Sequence, residues 1–100
     1  MKEVIVVCEA GITTSLLVKK LQELKEEENM DITITSKNTE EGLEFVKAES
    51  VDAVLLGPQI HHKVDEYEKA TNANVLKISV RDYNNMNAYS IFEQMNESLK

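Results

Sequence analysis

Val4-Ile5-Val6-Val7-Cys8-Glu9-Ala10-Gly11-Ile12-Thr13-Thr14-Ser15-Leu16-Leu17-Val18 is the stretch from which the rest of this 100-residue chain can be ordered. Four β-branched residues run into Cys8. Glu9 to Thr14 follow, with Gly11 among them, and Ser15 then opens an amphipathic run. A strand apolar on both faces, a short loop and a helix N-terminus give this pattern, with Thr13 or Thr14 as the N-cap. Leu17, Leu21 and Leu24 recur at helical spacing, widened by Leu16 and Val18, and the acidic run Glu26–Glu28 ends at Asn29, a suitable C-terminal residue. Acid at a helix C-terminus opposes the dipole, so fraying is expected there.

Beyond this unit the alternation continues. Asp31 to Ser36 alternates apolar and polar residues, which reads as an edge strand with one solvated face. Thr39 precedes Glu40 and Glu41, and Leu43, Phe45 and Val46 supply the stripe of a short helix. Ala53 to Leu56 forms a third strand, stopped by Gly57–Pro58, and the proline starts a helix in which Ile60, Val64 and Tyr67 share a face. Val75 to Val80 is the fourth strand. A polar loop, Arg81 to Asn87, leads to a last helix with Ile91, Phe92, Met95 and Leu99 on its apolar side. The fold class is therefore α/β: a four-stranded parallel sheet with helices on both faces, in one domain spanning residues 1–100. The strands' carboxyl ends gather on one edge, where such sheets place ligands, and Cys8, Gly57 and Arg81 all fall there.

The loop after the first strand carries the chemistry. A helix N-terminus leaves backbone N–H groups unpaired beside the positive end of the dipole, which makes an anion site. Thiolates attack phosphorus, and such a setting favours thiolate over thiol. The same donors stabilise phosphoryl oxygens, with the hydroxyls of Thr13, Thr14 and Ser15 as auxiliary donors. Cys8 is thus expected to accept a phosphoryl group inside a loop formed by Glu9, Ala10, Gly11, Ile12, Thr13, Thr14 and Ser15. The alternative is a buried structural cysteine, a common fate of free thiols. Low-molecular-weight tyrosine phosphatases use a similar thiol–phosphate loop with an arginine where this chain has Thr14. Without a fixed cation and a general acid the phosphocysteine persists until a better acceptor arrives, so the loop points to a carrier. Arg81, the chain's one arginine, sits after the fourth strand.

Composition narrows the field. Eighteen acidic residues against eleven basic give a net charge of −7, which argues against nucleic acid or anionic lipid as partners. One cysteine excludes an internal disulfide and fits a cytoplasmic setting. The longest apolar run, Val4 to Cys8, is far too short to span a membrane, and no signal-peptide pattern is present. No metal or other cofactor is expected. His61 and His62 are adjacent, so on a helix they point about 100° apart, and exposed positions suit them best.

The segments Cys8-x-Ala10-Gly11-x-x-Thr14-Ser15-Leu16-Leu17-Val18 and Leu55-Leu56-Gly57-Pro58-Gln59-Ile60, and more loosely Tyr83 with the loop after it, resemble enzyme IIB of the sugar phosphotransferase system in its lactose/cellobiose (chitobiose) branch. The order and spacing are those of the family, and the resemblance covers the whole chain. It implies a four-stranded parallel α/β sandwich. It also implies a phosphotransferase activity in which Cys8 takes phosphate from a histidine of enzyme IIA and passes it to a sugar held by the membrane permease, enzyme IIC. Pro58, Gln59 and Tyr83 would contribute to partner binding, with an ordinary first-turn residue as the alternative reading of Gln59. The chain departs from the family at Glu9, where a small residue is usual, at Thr13, usually serine, and at Asn84, where glycine often follows the tyrosine. Glu9 is expected to face solvent and shape partner contact. Two rivals accompany this reading: a phosphatase- or arsenate-reductase-like enzyme, against which Thr14 counts, and a non-catalytic regulatory domain of the same fold in which Glu9 silences the thiol. The sugar itself is a matter for the permease.

Overall fold

Val4, Ile5, Val6 and Val7 are fully buried, as a strand covered on both faces requires. The computed structural model of the chain describes residues 2–8 and 11–99. The elements are β1 (Lys2–Val7), α1 (Gly11–Glu27), β2 (Ile32–Lys37), α2 (Thr39–Ala48) and β3 (Ala53–Leu56). A 3-10 helix (Pro58–Lys63), α3 (Val64–Ala70), β4 (Asn74–Lys77), α4 (Val80–Asn84) and α5 (Ala88–Leu99) complete them. The sheet is parallel throughout, in the order β2-β1-β3-β4, so β1 and β3 are central and the alternating β2 lies at an edge.

Alternate residues of β1 feed two cores. Val4 and Val6 pack with Leu17, Leu21 and Leu24 of α1 and Ile91, Phe92 and Met95 of α5. Ile5 and Val7 pack with Val46 of α2, Ile60 of the 3-10 helix and Tyr67 of α3. Period-two alternation in the strand and period-3.6 stripes in the helices thus meet on both faces. Each fully buried side chain of this size contributes about 1.5–3 kcal/mol. The helices expected on both faces of the sheet are there.

Several boundaries differ from expectation, each for a local reason. The helix α1 opens at Gly11, so Thr13 and Thr14 lie inside its first turns rather than capping it; the Thr14 hydroxyl meets Tyr83 instead. Leu16 is off the buried stripe and half exposed. At the other end Asn29 adopts a positive φ of 55°. Bonds from Met30 N–H to the Lys25 carbonyl and from Asn29 N–H to the Glu26 carbonyl close a Schellman motif, so this acidic end carries its own backbone closure. Asn38, one residue ahead of Thr39, caps α2: its side chain accepts from Glu41 N–H while the Glu41 carboxylate accepts from Asn38 N–H. The strand β4 stops at Lys77, and Val80 begins α4 with its side chain exposed, because Ser79 accepts from Asp82 N–H and turns the chain into a helix. The expected polar loop Arg81 to Asn87 therefore holds a short helix.

Candidate functional site

The carboxyl ends of the strands form one row. Cys8 N–H reaches the Lys37 carbonyl at 3.1 Å, Gly57 N–H the Val7 carbonyl at 2.8 Å, and Ile78 N–H the Leu56 carbonyl at 2.8 Å. Cys8 is therefore the last residue tied into the central strand, and α1 begins three residues later. The first turn of α1 carries no acidic residue, so no side-chain charge on that turn opposes an anion at its positive end.

Around the sulfur the structure assembles side chains from three elements. The Tyr83 hydroxyl from α4 lies 3.2 Å from Cys8 Sγ, and the same hydroxyl lies 3.1 Å from Thr14 Oγ1 on α1. Gln59 of the 3-10 helix brings its Oε1 to 3.4 Å from the sulfur, which donates to it as a thiol. One phenol thus links the first two turns of α1 to the sulfur at the end of β1. Cys8 and Tyr83 are each 4% exposed and Thr14 is 5% exposed, so water has little part in the two contacts of the phenol. Gly57 leaves the room they need. A Cβ there would lie 2.9 Å from Cys8 Sγ and 3.2 Å from Gln59 Oε1. Its φ of −65° is open to any residue, so space, not conformation, demands glycine at that position.

The supports of Tyr83 and Gln59 are also visible. Asp82 Oδ2 accepts from the Ser90 hydroxyl at 2.9 Å, which ties α4 to α5 behind the phenol. His61 Nε2 lies 2.8 Å from the Ile78 carbonyl and ties the 3-10 helix to the end of β4. His61 is thus part-buried and engaged, contrary to the expected exposed position, because the helix begins flush with the sheet edge. His62 is exposed, as is Arg81 on α4. Burial raises the Tyr83 pKa above its usual 10.0, and the hydrogen bond to Cys8 and the repulsion from that group's charge add to the rise. The hydrogen bonds from Thr14 and Gln59 pull it the other way. The phenol is accordingly neutral at physiological pH.

Of the residues expected to cradle phosphate, Cys8 and Thr14 meet through Tyr83, Gly11 opens α1, and Ser15 is exposed on that helix. Glu9 and Ala10, with the side chains of Ile12 and Thr13, lie outside the described residues. Pro58 starts the 3-10 helix as expected. Gln59 and Tyr83, assigned from sequence to partner contact, touch the sulfur itself. For Tyr83 a signal was present and unread: Ser79-x-x-Asp82 is a capping pattern that places the tyrosine on a helix rather than in a loop. Among the described residues no cluster of His, Cys, Asp or Glu could hold a metal ion, and no helix is long and apolar enough to cross a membrane.

Comparison with known proteins agrees with this architecture. Residues 3–94 match the family described as "PTS system, Lactose/Cellobiose specific IIB subunit". The oligo-beta-mannoside-specific EIIB component of Bacillus subtilis (strain 168) is 30% identical over 82 residues, which cover 82% of this chain and 78% of that protein. The lactose-specific IIB component domain of the phosphoenolpyruvate:carbohydrate phosphotransferase system from Streptococcus pneumoniae superposes with a TM-score of 0.82. That likeness covers 99% of this chain and 98% of that one at 13% identity, and so speaks for the fold.

Proposed function

This chain belongs to the lactose/cellobiose-specific IIB family of the sugar phosphotransferase system, and we propose that it is a phosphocarrier whose Cys8 holds the phosphoryl group. The Cys8 thiolate attacks the phosphorus of a phosphohistidine on enzyme IIA. The S–P bond forms as the N–P bond breaks, and the histidine nitrogen keeps the electron pair. A hydroxyl of a sugar bound by enzyme IIC then attacks the same phosphorus, the S–P bond breaks, and sulfur leaves as thiolate. Both transfers are in-line displacements in which the protein's task is to place the sulfur and hold negative charge. The loop from Glu9 to Ser15, opening into α1, would supply amide donors to the phosphoryl oxygens. The protein would work in the cytoplasm against the inner side of the permease, on sugars of the cellobiose, chitobiose or lactose type.

The observation that carries this reading is the place of the sulfur: the end of the central strand, within one hydroxyl of the first turns of α1. Among the described residues its partners, Tyr83 and Gln59, are neutral, and a hydroxyl stands at position 14 where a phosphatase holds its arginine. A phosphocysteine made here therefore waits for a sugar rather than for water. Intact-mass measurement after mixing with phosphorylated IIA tests it: the wild type should gain one phosphoryl group and Cys8→Ala none. Equal uptake by the variant, or none by the wild type, would refute the assignment.

A further inference from the structure

We propose that Tyr83 is a positioning residue: its hydroxyl donates to the Cys8 sulfur and holds it as the thiolate, while Thr14 fixes which way that hydroxyl points. The proposal deepens the phosphocarrier reading and rests on it. Three hydroxyl or thiol groups stand in a row, Thr14 Oγ1, the Tyr83 hydroxyl and Cys8 Sγ, at 3.1 and 3.2 Å. A phenol has one proton to give. When the Thr14 hydroxyl donates to the phenolic oxygen, that proton is left for the sulfur. Gln59 Oε1 sits at 3.4 Å on another side of the sulfur and accepts from it when it is a thiol.

Ionisation makes the direction of the Tyr83 bond unambiguous, because a thiolate can only accept. A hydrogen bond to a charged acceptor is stronger than one to a neutral acceptor, so the phenol stabilises thiolate over thiol. The phenol is itself neutral at working pH, hence a donor and not a competing anion. Among the described residues Tyr83 is the titratable group touching the sulfur. Gln59 and Thr14 are neutral, and His61 is turned to the Ile78 carbonyl. The same bond acts in both transfers. It favours the attacking thiolate in the first, and in the second it receives the charge that returns to sulfur as the S–P bond breaks.

Two variants test this. Tyr83→Phe keeps the buried ring and removes the hydroxyl; Thr14→Val removes the group that orients it. The ultraviolet thiolate band at neutral pH, taken as the difference from Cys8→Ala, should show the thiolate-to-thiol ratio falling about tenfold in Tyr83→Phe. In Thr14→Val the fall should be about threefold. With phosphorylated IIA as donor, the maximal rate of uptake should fall in Tyr83→Phe while the half-saturating IIA concentration stays unchanged. An unaltered thiolate band in a folded Tyr83→Phe protein overturns the proposal. So does a raised half-saturating concentration at an unchanged maximal rate, which would make Tyr83 a docking residue. Should Tyr83→Phe fail to fold, the band of Thr14→Val decides. Failure of the wild type to take up phosphate would refute the carrier reading by itself, and the thiolate band would still report whether Tyr83 acts on the sulfur.

Discussion

Each face of the sheet buries a tyrosine whose hydroxyl has a partner, a glycine makes room at each contact, and the two arrangements serve different ends. On the face of α2 and α3, Tyr67 is fully buried and its hydroxyl donates to the Thr39 carbonyl at 2.7 Å. Gly42 makes room for that hydroxyl: a Cβ there would meet the phenolic oxygen and would lie 3.0 Å from Val7 Cγ2. On the face of α1 and α5, Tyr83 points its hydroxyl at a sulfur, and Gly57 makes room for that sulfur. The first phenol answers a backbone carbonyl and closes a packing problem. The second answers a side chain whose charge would change in the proposed transfer. One residue type thus acts as a staple on one side and as a chemical group on the other, and the acceptor decides which.

Substituting the two glycines separates these uses most sharply. Gly57→Ala places a methyl against the sulfur and the Gln59 amide, and the sulfur must move. Displacement of a reacting atom by about 1 Å costs on the order of a hundredfold in rate. Phosphate uptake per folded molecule should fall by that factor, about 2.7 kcal/mol of transition-state stabilisation. Wild-type uptake in this variant would mean the close packing around Cys8 is irrelevant to the chemistry. Gly42→Ala should instead cost stability, about 2 kcal/mol by overpacking and so a thermal midpoint lower by about 10 °C. The uptake rate of its folded fraction should stay that of the wild type. A slowed rate there would erase the division between the two faces.

Tyr67→Phe sharpens the comparison at smaller cost. Loss of one buried hydrogen bond to a carbonyl should lower stability by about 1 kcal/mol, read from the denaturant midpoint, and leave phosphate uptake untouched. In Tyr83→Phe the order of effects should reverse, with little loss of stability and a large loss of rate.

How much of this could be read in the chain depends on distance along it. The β1 strand was legible because Val4 to Val7 are β-branched and apolar on both faces, a signal that needs no partner. The stripes of α1 and α5 were legible for the same reason. The opening of α1 was not, since glycine and two threonines are weak helix formers and a helix there holds by tertiary contact, with Thr14 buried against Tyr83. Val80 looked like strand because its β-branch favours one, yet Ser79 and Asp82 overrode it. Cys8 stood out by composition and place. Its neighbours Gln59 and Tyr83 lie 51 and 75 residues away, and only the order β2-β1-β3-β4 brings them to one edge. Periodicity carries no information about such contacts.

The smallest effect is the most specific to the sulfur-facing phenol. Burial first, then the bond and the charge of Cys8, hold the proton on Tyr83 above its usual pKa of 10.0. In the unfolded chain the phenol titrates at about 10, so between that pH and the raised folded value the unfolded state binds fewer protons than the native one. Stability then falls as pH rises through this window, because its slope against pH follows the protons bound unfolded minus those bound folded. Below about 10 the contribution is fully present; above the folded value the decline from this group ends. Tyr83→Phe should lack this limb, so the stability difference between wild type and variant, read by denaturant titration at a series of alkaline pH values, should move in favour of the variant as pH rises. Adding Cys8→Ala to both proteins removes the sulfur's bond and its repulsion, both of which raise the phenol, and the window should narrow. A window of unchanged width would mean the sulfur does not act on the phenol at all, and Tyr83 would then be a staple like Tyr67.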